Sequence, residues 1–481
     1  MHQVLIYEIL LEAVTPLYFG NGEVGLLSDG DVRRPSLFGN AIGGALKEYL
    51  RHTDIGEDWI TGFMGNDIEV EVEAPDDQEQ EEKIRRRKFI PSVLYISDGR
   101  IFRPKKAKTL KREGTAVDPR RGTAAEHKKY EFHFLPEGTL IRFKIECDEW
   151  MNPALKNVRL TPEDLEKLIG TWAHGFESGE MLLGGNKNNG FGRVKIARLK
   201  RRQFKFERAE DIDRSLFDPY SGKLEDVEWD KLDRATQRTD HRMVFSMEGE
   251  FPYGVYQHYE SDPESADRTI SGLQRRDRNG QSAYYLPSSS VKGVLKHEIR
   301  QLLQRIHQND RLVEEDLAEL FGDVNKKGKL RFEDLWIYDH REVSVCRPSK
   351  DNDDVPEIGL PVYVKIDRLT GGAYSSALKT QREIQGKAII RVELEASEED
   401  CRSFRFPILY ALRRIGTGQA PLGGRTVVGL GQFFSRNLRI EASGKETCLS
   451  LDNPDQAELD SLRQEYDLFV RWCERERTQV V

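Results

Sequence analysis

Leu37-Phe38-Gly39-Asn40-Ala41-Ile42-Gly43-Gly44-Ala45-Leu46-Lys47-Glu48-Tyr49-Leu50-Arg51 returns later in the chain as Leu286-Pro287-Ser288-Ser289-Ser290-Val291-Lys292-Gly293-Val294-Leu295-Lys296-His297-Glu298-Ile299-Arg300. Gly44 matches Gly293, Leu46 matches Leu295, Lys47 matches Lys296 and Arg51 matches Arg300. Four further blocks match in the same order: Phe63-Met64-Gly65-Asn66 with Leu320-Phe321-Gly322-Asp323; Val93 to Asp98 with Asp334 to Asp339; Val117-Asp118 and Gly122 with Ile366-Asp367 and Gly371; and Leu183-Gly184-Gly185-Asn186 through Gly190-Phe191-Gly192 with Leu422-Gly423-Gly424-Arg425 through Gly429-Leu430-Gly431. Chance similarity does not keep order over half a chain, so this is a tandem duplication. Indels in surface loops account for the drifting offset.

Each repeat reads as strand, long loop, helix, strands, helix, strand. Val4 to Val14 is a strand. Ile42, Ala45, Leu46 and Leu50 share one helical face, as do Val291, Leu295, Ile299, Leu302, Leu303 and Ile306. Ser288, Ser289 and Ser290 stand where N-caps belong. Thr161-Pro162-Glu163-Asp164 and Ser397-Glu398-Glu399-Asp400 open the second helices with a cap and first-turn acids. Strands follow the glycine-rich loops at Val194 to Ala197 and Gln432 to Ser435. This order predicts an α+β chain of two ferredoxin-like (RRM-like) β-α-β-β-α-β units. The expected boundaries are a first domain at 1–200 with a charged insertion at 67–121, a linker at 201–240, a second domain at 241–440, and a tail at 441–481. The tail carries a turn at Asn453-Pro454, then a helix through Leu462, Tyr466, Phe469 and Trp472.

With 481 residues, two domains are the natural division. No apolar run is long enough for a bilayer and no signal-peptide pattern opens the chain, which predicts a cytoplasmic protein with no membrane partner. Five scattered cysteines, never spaced as Cys-x-x-Cys, argue against a disulfide framework and a zinc site, and ten histidines show no metal-type pairing. The net charge of −8 is unevenly spread. Asp67 to Glu82 is acidic and reads as a solvated excursion. Lys83 to Arg121 is strongly basic, and local clustering counts for more in phosphate binding than the total.

Ser289, Ser290 and Lys292 at a helix start have the makings of a phosphate site. Ordinary capping accounts for one serine, not for three and a lysine. Gly184-Gly185 and Gly423-Gly424 permit close backbone approach to a ligand or simply a tight turn. No Lys-Ser/Thr follows them, so this is not a Walker loop.

These blocks resemble the CRISPR-associated RAMP superfamily, in particular the tandem backbone subunits of type III (III-D-like) effector complexes. Pro287-Ser288-Ser289-Ser290-Val291-Lys292-Gly293 matches that family's Pro-Gly-Ser-Ser-x-Lys-Gly helix start. Gly184 to Val194 matches its late glycine-rich loop, and Ile366-Asp367-Arg368-Leu369-Thr370-Gly371-Gly372-Ala373 matches its Ile-Asp-Arg-x-Thr-Gly segment. The resemblance implies a subunit that binds guide RNA (crRNA) and holds the guide–target RNA duplex, whose shape the protein holds while base pairing reads sequence. Its partners would be crRNA, complementary target RNA, other RAMP-type subunits and a large signalling subunit.

By the same resemblance, Asn186, Lys187, Arg193 and Arg425 face the guide, as do Asn40, Lys47 and Arg51 beside Ser289, Ser290 and Lys292. Lys365 and Arg368 lie on a thumb-like hairpin that wedges into the duplex; repeat one has its counterpart near Asp118 to Ala124. Target-RNA cleavage would use Asp29, with Asp31 in reserve, and in repeat two Asp267, chosen over Asp262 and Asp277. Mg²⁺ or Mn²⁺ would bind at Asp29 and Asp267. The sequence departs from the family at Gly39 to Gly43, where serines and a lysine are usual, and at Gln432, where repeat one has Arg193. A non-catalytic assembly subunit and a guide-processing endoribonuclease are the competing readings.

Overall fold

A computed structural model describes residues 3–20, 28–29, 34–72, 84–102, 110–117, 124–148, 150–152, 159–205, 210, 224–236, 241–257, 270–278, 281–307, 309–323, 325–347, 357–374, 379–442 and 444–475. At 28–29, 34–36, 67–72, 84–88, 111, 113, 115–117, 124–129, 205, 270–272, 274–278, 281–282, 346–347, 357–358 and 379 only the backbone is described. The chain forms two compact units, Met1–Lys187 with Phe191–Thr239 and Asn188–Gly190 with Asp240–Val481.

In the first unit the elements run β1 (Gln3–Ala13), β2 (Ser28–Asp29), β3 (Arg34–Leu37), α1 (Gly39–Arg51), α2 (Glu57–Met64), β4 (Asn66–Val72), β5 (Ile84–Ile90), β6 (Leu94–Ile96), β7 (Gly99–Phe102), β8 (Leu110–Val117), β9 (Ala124–Phe134), β10 (Leu140–Cys147), α3 (Pro162–Glu177), β11 (Val194–Lys205) and β12 (Glu225–Asp226). The main sheet has the order β12-β11-β1-β10-β7-β3-β2, with β6 also on β10. The central pairs are antiparallel. The first and third strands of the β-α-β-β-α-β unit thus lie at the centre, flanked by the last and the second. Along β10, Ile141, Phe143, Ile145 and Cys147 are buried and alternate with half-buried Leu140, Arg142, Lys144 and Glu146. That is the period-two pattern of a sheet covered on one face. The cover is helical: Ile42, Leu46 and Leu50 of α1 and Leu165, Leu168, Trp172 and Phe176 of α3 share the core with β10.

The second unit repeats the plan with β13 (His241–Val255), β14 (Ile270–Gly272), β15 (Gln274–Arg278), β16 (Gln281–Leu286), α4 (Ser288–Ile306), α5 (Asp310–Phe321), β17 (Leu330–Phe332), β18 (Leu335–Glu342), β19 (Val345–Arg347), β20 (Glu357–Gly359), β21 (Val362–Tyr363), β22 (Lys379–Arg382), β23 (Ile384–Ala396), α6 (Glu398–Gly416), β24 (Asn437–Ala442), β25 (Lys445–Ser450) and α7 (Gln456–Glu474). Its sheet, β15-β16-β18-β23-β13-β24-β25 with β17 on β23, matches the first strand for strand. Two ferredoxin-like domains in tandem is therefore the fold. Among the described residues no helix is long and apolar enough to cross a membrane.

Local signals for the second helices hold. Thr161 and Asp164 form a reciprocal capping box with Pro162 in the first turn of α3, and Ser397 caps α6 through the Asp400 N–H. Other details differ from the sequence reading. Gln432 to Ser435 is not a strand: Ser435 Oγ donates to the Glu248 and Asn437 carbonyls, and regular pairing begins only at Asn437. The tail is an integral layer of the second unit. β25 extends its sheet, and α7 packs Trp472 against Phe404, ring centroids 4.6 Å apart, with Phe469 fully buried. β11 runs past 200 to Lys205, and its Lys200 and Arg201 pair with β12.

The acidic and basic runs meet as a hairpin. The β4–β5 backbone register sets Glu69 opposite Arg87 and Glu71 opposite Arg85. The stretch 67–121 is not a single insertion either, since β6 and β7 belong to the main sheet.

Candidate nucleic-acid interface

The start of α4 is built differently from the serine-capped helix that its sequence suggests. Its N-cap is Pro287, without a side-chain bond; the Ser288 N–H is instead met by Asp334 Oδ1 at 2.9 Å. The first unit does the same: Phe38 precedes α1, and the Gly39 N–H donates to Asp98 Oδ1 at 2.7 Å. A carboxylate from the neighbouring strand thus takes one of the orphan N–H groups and complements the helix dipole. Asp98 therefore corresponds to Asp334, not to Asp339, which pairs with Lys387 at 3.1 Å. Gly39 is required as glycine, because a Cβ there would lie 2.3 Å from the Ile96 carbonyl oxygen.

With the cap supplied by Asp334, the serines have other surroundings. Ser289 is exposed, and Ser290 Oγ donates to Gln257 Oε1 at 3.1 Å. Lys292, Lys296 and Arg300 follow at helical spacing down one side of α4. They are not equivalent. Arg300 is held by Glu314, with Nη2 at 3.2 Å from Oε2. Lys296 Nζ lies 5.7 Å from the centroid of the Phe321 ring, a cation–π contact. Lys292 is half-buried, and burial followed by the charge of Lys296 holds its ammonium below the usual lysine range. Among the described residues no carboxylate offsets this. The position, near the positive end of a helix, disfavours the ammonium further. An anion is the group that would relieve all three effects.

The glycine-rich loop lies beside this helix start. The Gly424 N–H donates to the Tyr256 carbonyl at 2.6 Å, and the next residue, Gln257, receives Ser290. A Cβ on Gly423 would lie 2.5 Å from the same carbonyl oxygen. Arg425 adopts a left-handed φ of 57°, opening a short 3-10 turn (Thr426–Val428) on which Val427 is 98% exposed. Its guanidinium carbon lies 3.9 Å from the centroid of the Tyr363 ring. The first unit carries the same loop: Asn186 has φ 56°, Lys187 opens the 3-10 turn Lys187–Asn189, and the Gly185 N–H donates to Tyr18 O at 2.8 Å.

Beyond Tyr363 the chain turns through the Lys365–Tyr374 hairpin. Tyr374 N–H bonds to the Lys365 carbonyl at 2.9 Å, and Asp367 Oδ1 receives the N–H groups of Leu369 at 2.7 Å and Thr370 at 3.1 Å. Those two backbone bonds, Thr370 first, hold the Asp367 carboxyl below its usual range. The tip presents Leu369 at 97% exposure beside exposed Arg368, and Lys365 Nζ lies 4.9 Å from the Tyr374 ring centroid. Gln257 and Tyr256 thus tie Ser290, in the first turn of α4, to the glycine-rich loop, and Tyr363 ties Arg425 of that loop to the chain entering the hairpin, three residues that the sequence reading does not name.

In the first unit the candidate cations are more engaged. Lys47 Nζ donates to the Gly65 carbonyl at 2.6 Å and to Asn66 Oδ1 at 3.1 Å. Burial, then the charge of Arg51, lowers its pKa. Arg51 lies 3.9 Å from Glu48 and 3.8 Å from Glu57. The Arg193 side chain packs over Gly179, and Asn40 is exposed in the first turn of α1. Arg112, also not singled out, is buried with its guanidinium 5.3 Å from the Phe134 ring centroid and 4.9 Å from that of Phe191, bracing the β8–β9 hairpin.

Of the candidate catalytic carboxylates, Asp29 stands on β2 at the sheet edge, its backbone paired with Arg34; its side chain is not described. Asp31, Asp262 and Asp267 lie outside the described residues, as does the tip 118–123 of the first hairpin. Asp277 is described only in its backbone, on β15 opposite Ser282.

Comparison with known families matches the RAMP superfamily to residues 10–195 and 269–434, most of both units. The chain belongs to that superfamily. No curated protein matches it. Among solved structures it is similar to a chain of a Type III-B Cmr-beta complex bound to cognate target RNA, at 16% identity and a TM-score of 0.28, covering 44% of this chain and 62% of that one.

Proposed function

Starting from membership of the RAMP superfamily, we propose that this chain is an RNA-binding backbone subunit of a CRISPR type III effector complex. It grips crRNA through phosphate contacts at Ser289, Ser290, Lys292 and Arg425, and the Lys365–Tyr374 hairpin meets the guide–target duplex. The observation that carries this reading is Lys292, an ammonium half-buried near the start of α4 with no described carboxylate to offset it. Exposed Leu369 between Arg368 and the glycines gives the hairpin an apolar tip on a basic stem, suited to parting stacked bases while its cations hold phosphate. Other RAMP-type subunits and a large signalling subunit are the protein partners of such a backbone. The test is equilibrium binding of the full chain to labelled single-stranded RNA: affinity that falls steeply with salt supports the reading, and salt-independent or absent binding contradicts it.

Target-RNA cleavage extends this proposal, with Asp29 as the principal carboxylate, Asp31 beside it in sequence, and Asp267 in the second unit. Mg²⁺ keeps most of its waters and takes only one or two carboxylates together with substrate phosphates. One aspartate on an edge strand is a donor set of that kind. Bound Mg²⁺ or Mn²⁺ would neutralise charge developing on the cleaved phosphate, and Asp29 would hold and orient it.

A further inference from the structure

The cysteine and histidine spacings give no metal motif, yet the fold of the second unit assembles three different ligand types. His307 directly follows α4, Asp316 lies on α5 and Cys473 on α7. Their ligating atoms all lie within 4.8 Å of one another. The site is enclosed: Asp316 is 1% and Cys473 4% exposed, and the His307 side chain is 8% exposed. His307 Nε2 lies 2.7 Å from Asp316 Oδ2, while Arg475 Nη2 lies 3.7 Å from the other oxygen, Oδ1.

We infer that His307, Asp316 and Cys473 form a structural zinc site that clamps α7 onto the α4–α5 pair. An imidazole, a carboxylate and a thiolate are the donors Zn²⁺ prefers, and a hard ion such as Mg²⁺ would not select sulfur. Metal–ligand bonds of about 2.0–2.3 Å place tetrahedral ligands roughly 3.5 Å apart, so His307 and Asp316 would part slightly from 2.7 Å while Cys473, within 4.8 Å of both, would draw in where it lies farther than that. Burial of Cys473 removes it from any substrate, which separates this cluster from a Cys–His–Asp nucleophile. Arg475 holds the oxygen turned away from His307, as outer partners of carboxylate ligands do.

Charge and protons balance. Zn²⁺ entry would release the Cys473 thiol proton, and neutral His307 would bind through Nε2 with its proton on Nδ1. The thiolate and the Asp316 carboxylate then offset both charges of the ion, and a water completes four ligands. The consequence is mechanical. α7 lies outside the repeated unit, and the clamp fixes it to the far end of α4, whose opposite end carries Lys292.

The test uses the full chain, reconstituted with Zn²⁺ or Co²⁺ and dialysed, for metal content, thermal unfolding and cobalt absorption. The expected result is about one zinc per chain, a thiolate–cobalt charge-transfer band, and a lower Tm after chelation. Cys473→Ser should lose the band and the chelator effect, and His307→Gln should weaken metal retention. If a variant does not fold, the wild-type chain with and without chelator still decides. Wild-type protein that retains neither ion, or a cobalt spectrum unchanged in Cys473→Ser, overturns the assignment.

Discussion

The guanidinium carbon of Arg425 lies 3.9 Å from the centroid of the Tyr363 ring, joining the glycine-rich loop of the second unit to the start of its hairpin. Tyr363 is itself anchored, because its hydroxyl donates to the buried Glu383 carboxylate. Burial, then that bond and the Glu383 charge, pushes the phenol up to about 12. Under the proposed function, this contact positions the guanidinium for phosphate. Tyr363→Ala should weaken RNA binding by roughly 3- to 10-fold, the scale of one partly desolvated cation–π contact. Tyr363→Phe keeps the ring and should bind RNA nearly as well, while losing about 1–3 kcal/mol of stability by leaving buried Glu383 without its donor. Equal affinity losses in both variants would show that Tyr363 does not act through Arg425.

Lys292 predicts a pH dependence. Burial first, then Lys296, lowers its folded-state pKa, so the folded chain without RNA binds fewer protons than the unfolded chain between the two values. Charged Lys292 therefore costs stability below its folded pKa, and that cost is recovered as pH rises through it. A bound phosphate reverses the effect by favouring the ammonium. Affinity for RNA should fall as pH rises through the depressed lysine pKa, and Lys292→Arg, charged throughout, should abolish that fall. Titration of binding from neutral to alkaline pH checks this.

Asp98 and Asp334 each receive the first N–H of a helix, at 2.7 and 2.9 Å. Asp98→Ala and Asp334→Ala should each cost about 1 kcal/mol, the usual value of an N-terminal cap. Being in separate units, the two losses should fall on separate unfolding transitions in denaturant. An unchanged midpoint in either variant would show that water replaces the carboxylate.

Phe469 is fully buried where α7 meets α6. Phe469→Ala should destabilise the second unit by about 3–5 kcal/mol. The first unit should keep its unfolding midpoint. If the second unit also keeps its midpoint, the tail is an accessory and not part of the core.

Much of this was legible in the sequence because it is local or repeated. Thr161 with Asp164 and Ser397 with Asp400 declare their caps within a single turn. The paired glycine loops show themselves by occurring twice. What could not be read depends on partners brought together across the fold. Asp334 caps a helix that begins at Ser288, so three serines looked like caps although a distant carboxylate does the work. The equivalence of Asp98 with Asp334 was hidden because the two repeats differ in the chain between their second helix and this strand. Tyr363 and Gln257 matter only through the side chains that rest on them. His307, Asp316 and Cys473 come from three helices, one of them outside the duplicated unit, so no spacing rule could find them.

For cleavage, the assembled complex with end-labelled RNA complementary to the guide should give regularly spaced cuts in Mg²⁺ and none in EDTA. Asp29→Ala should remove one set and Asp267→Ala another, with binding retained. Cuts that survive both substitutions would place the chemistry on another residue or another subunit.

The most direct test of the RNA-binding assignment is the salt dependence of single-stranded RNA binding, comparing the wild-type chain with the Lys292→Ala, Lys365→Ala double variant. Each phosphate contact contributes about 0.7 to the log–log slope for a single strand, so the double variant should bind more weakly with a slope shallower by about 1.4. Weaker binding at an unchanged slope, or no change in either, would contradict the phosphate roles assigned to these two lysines.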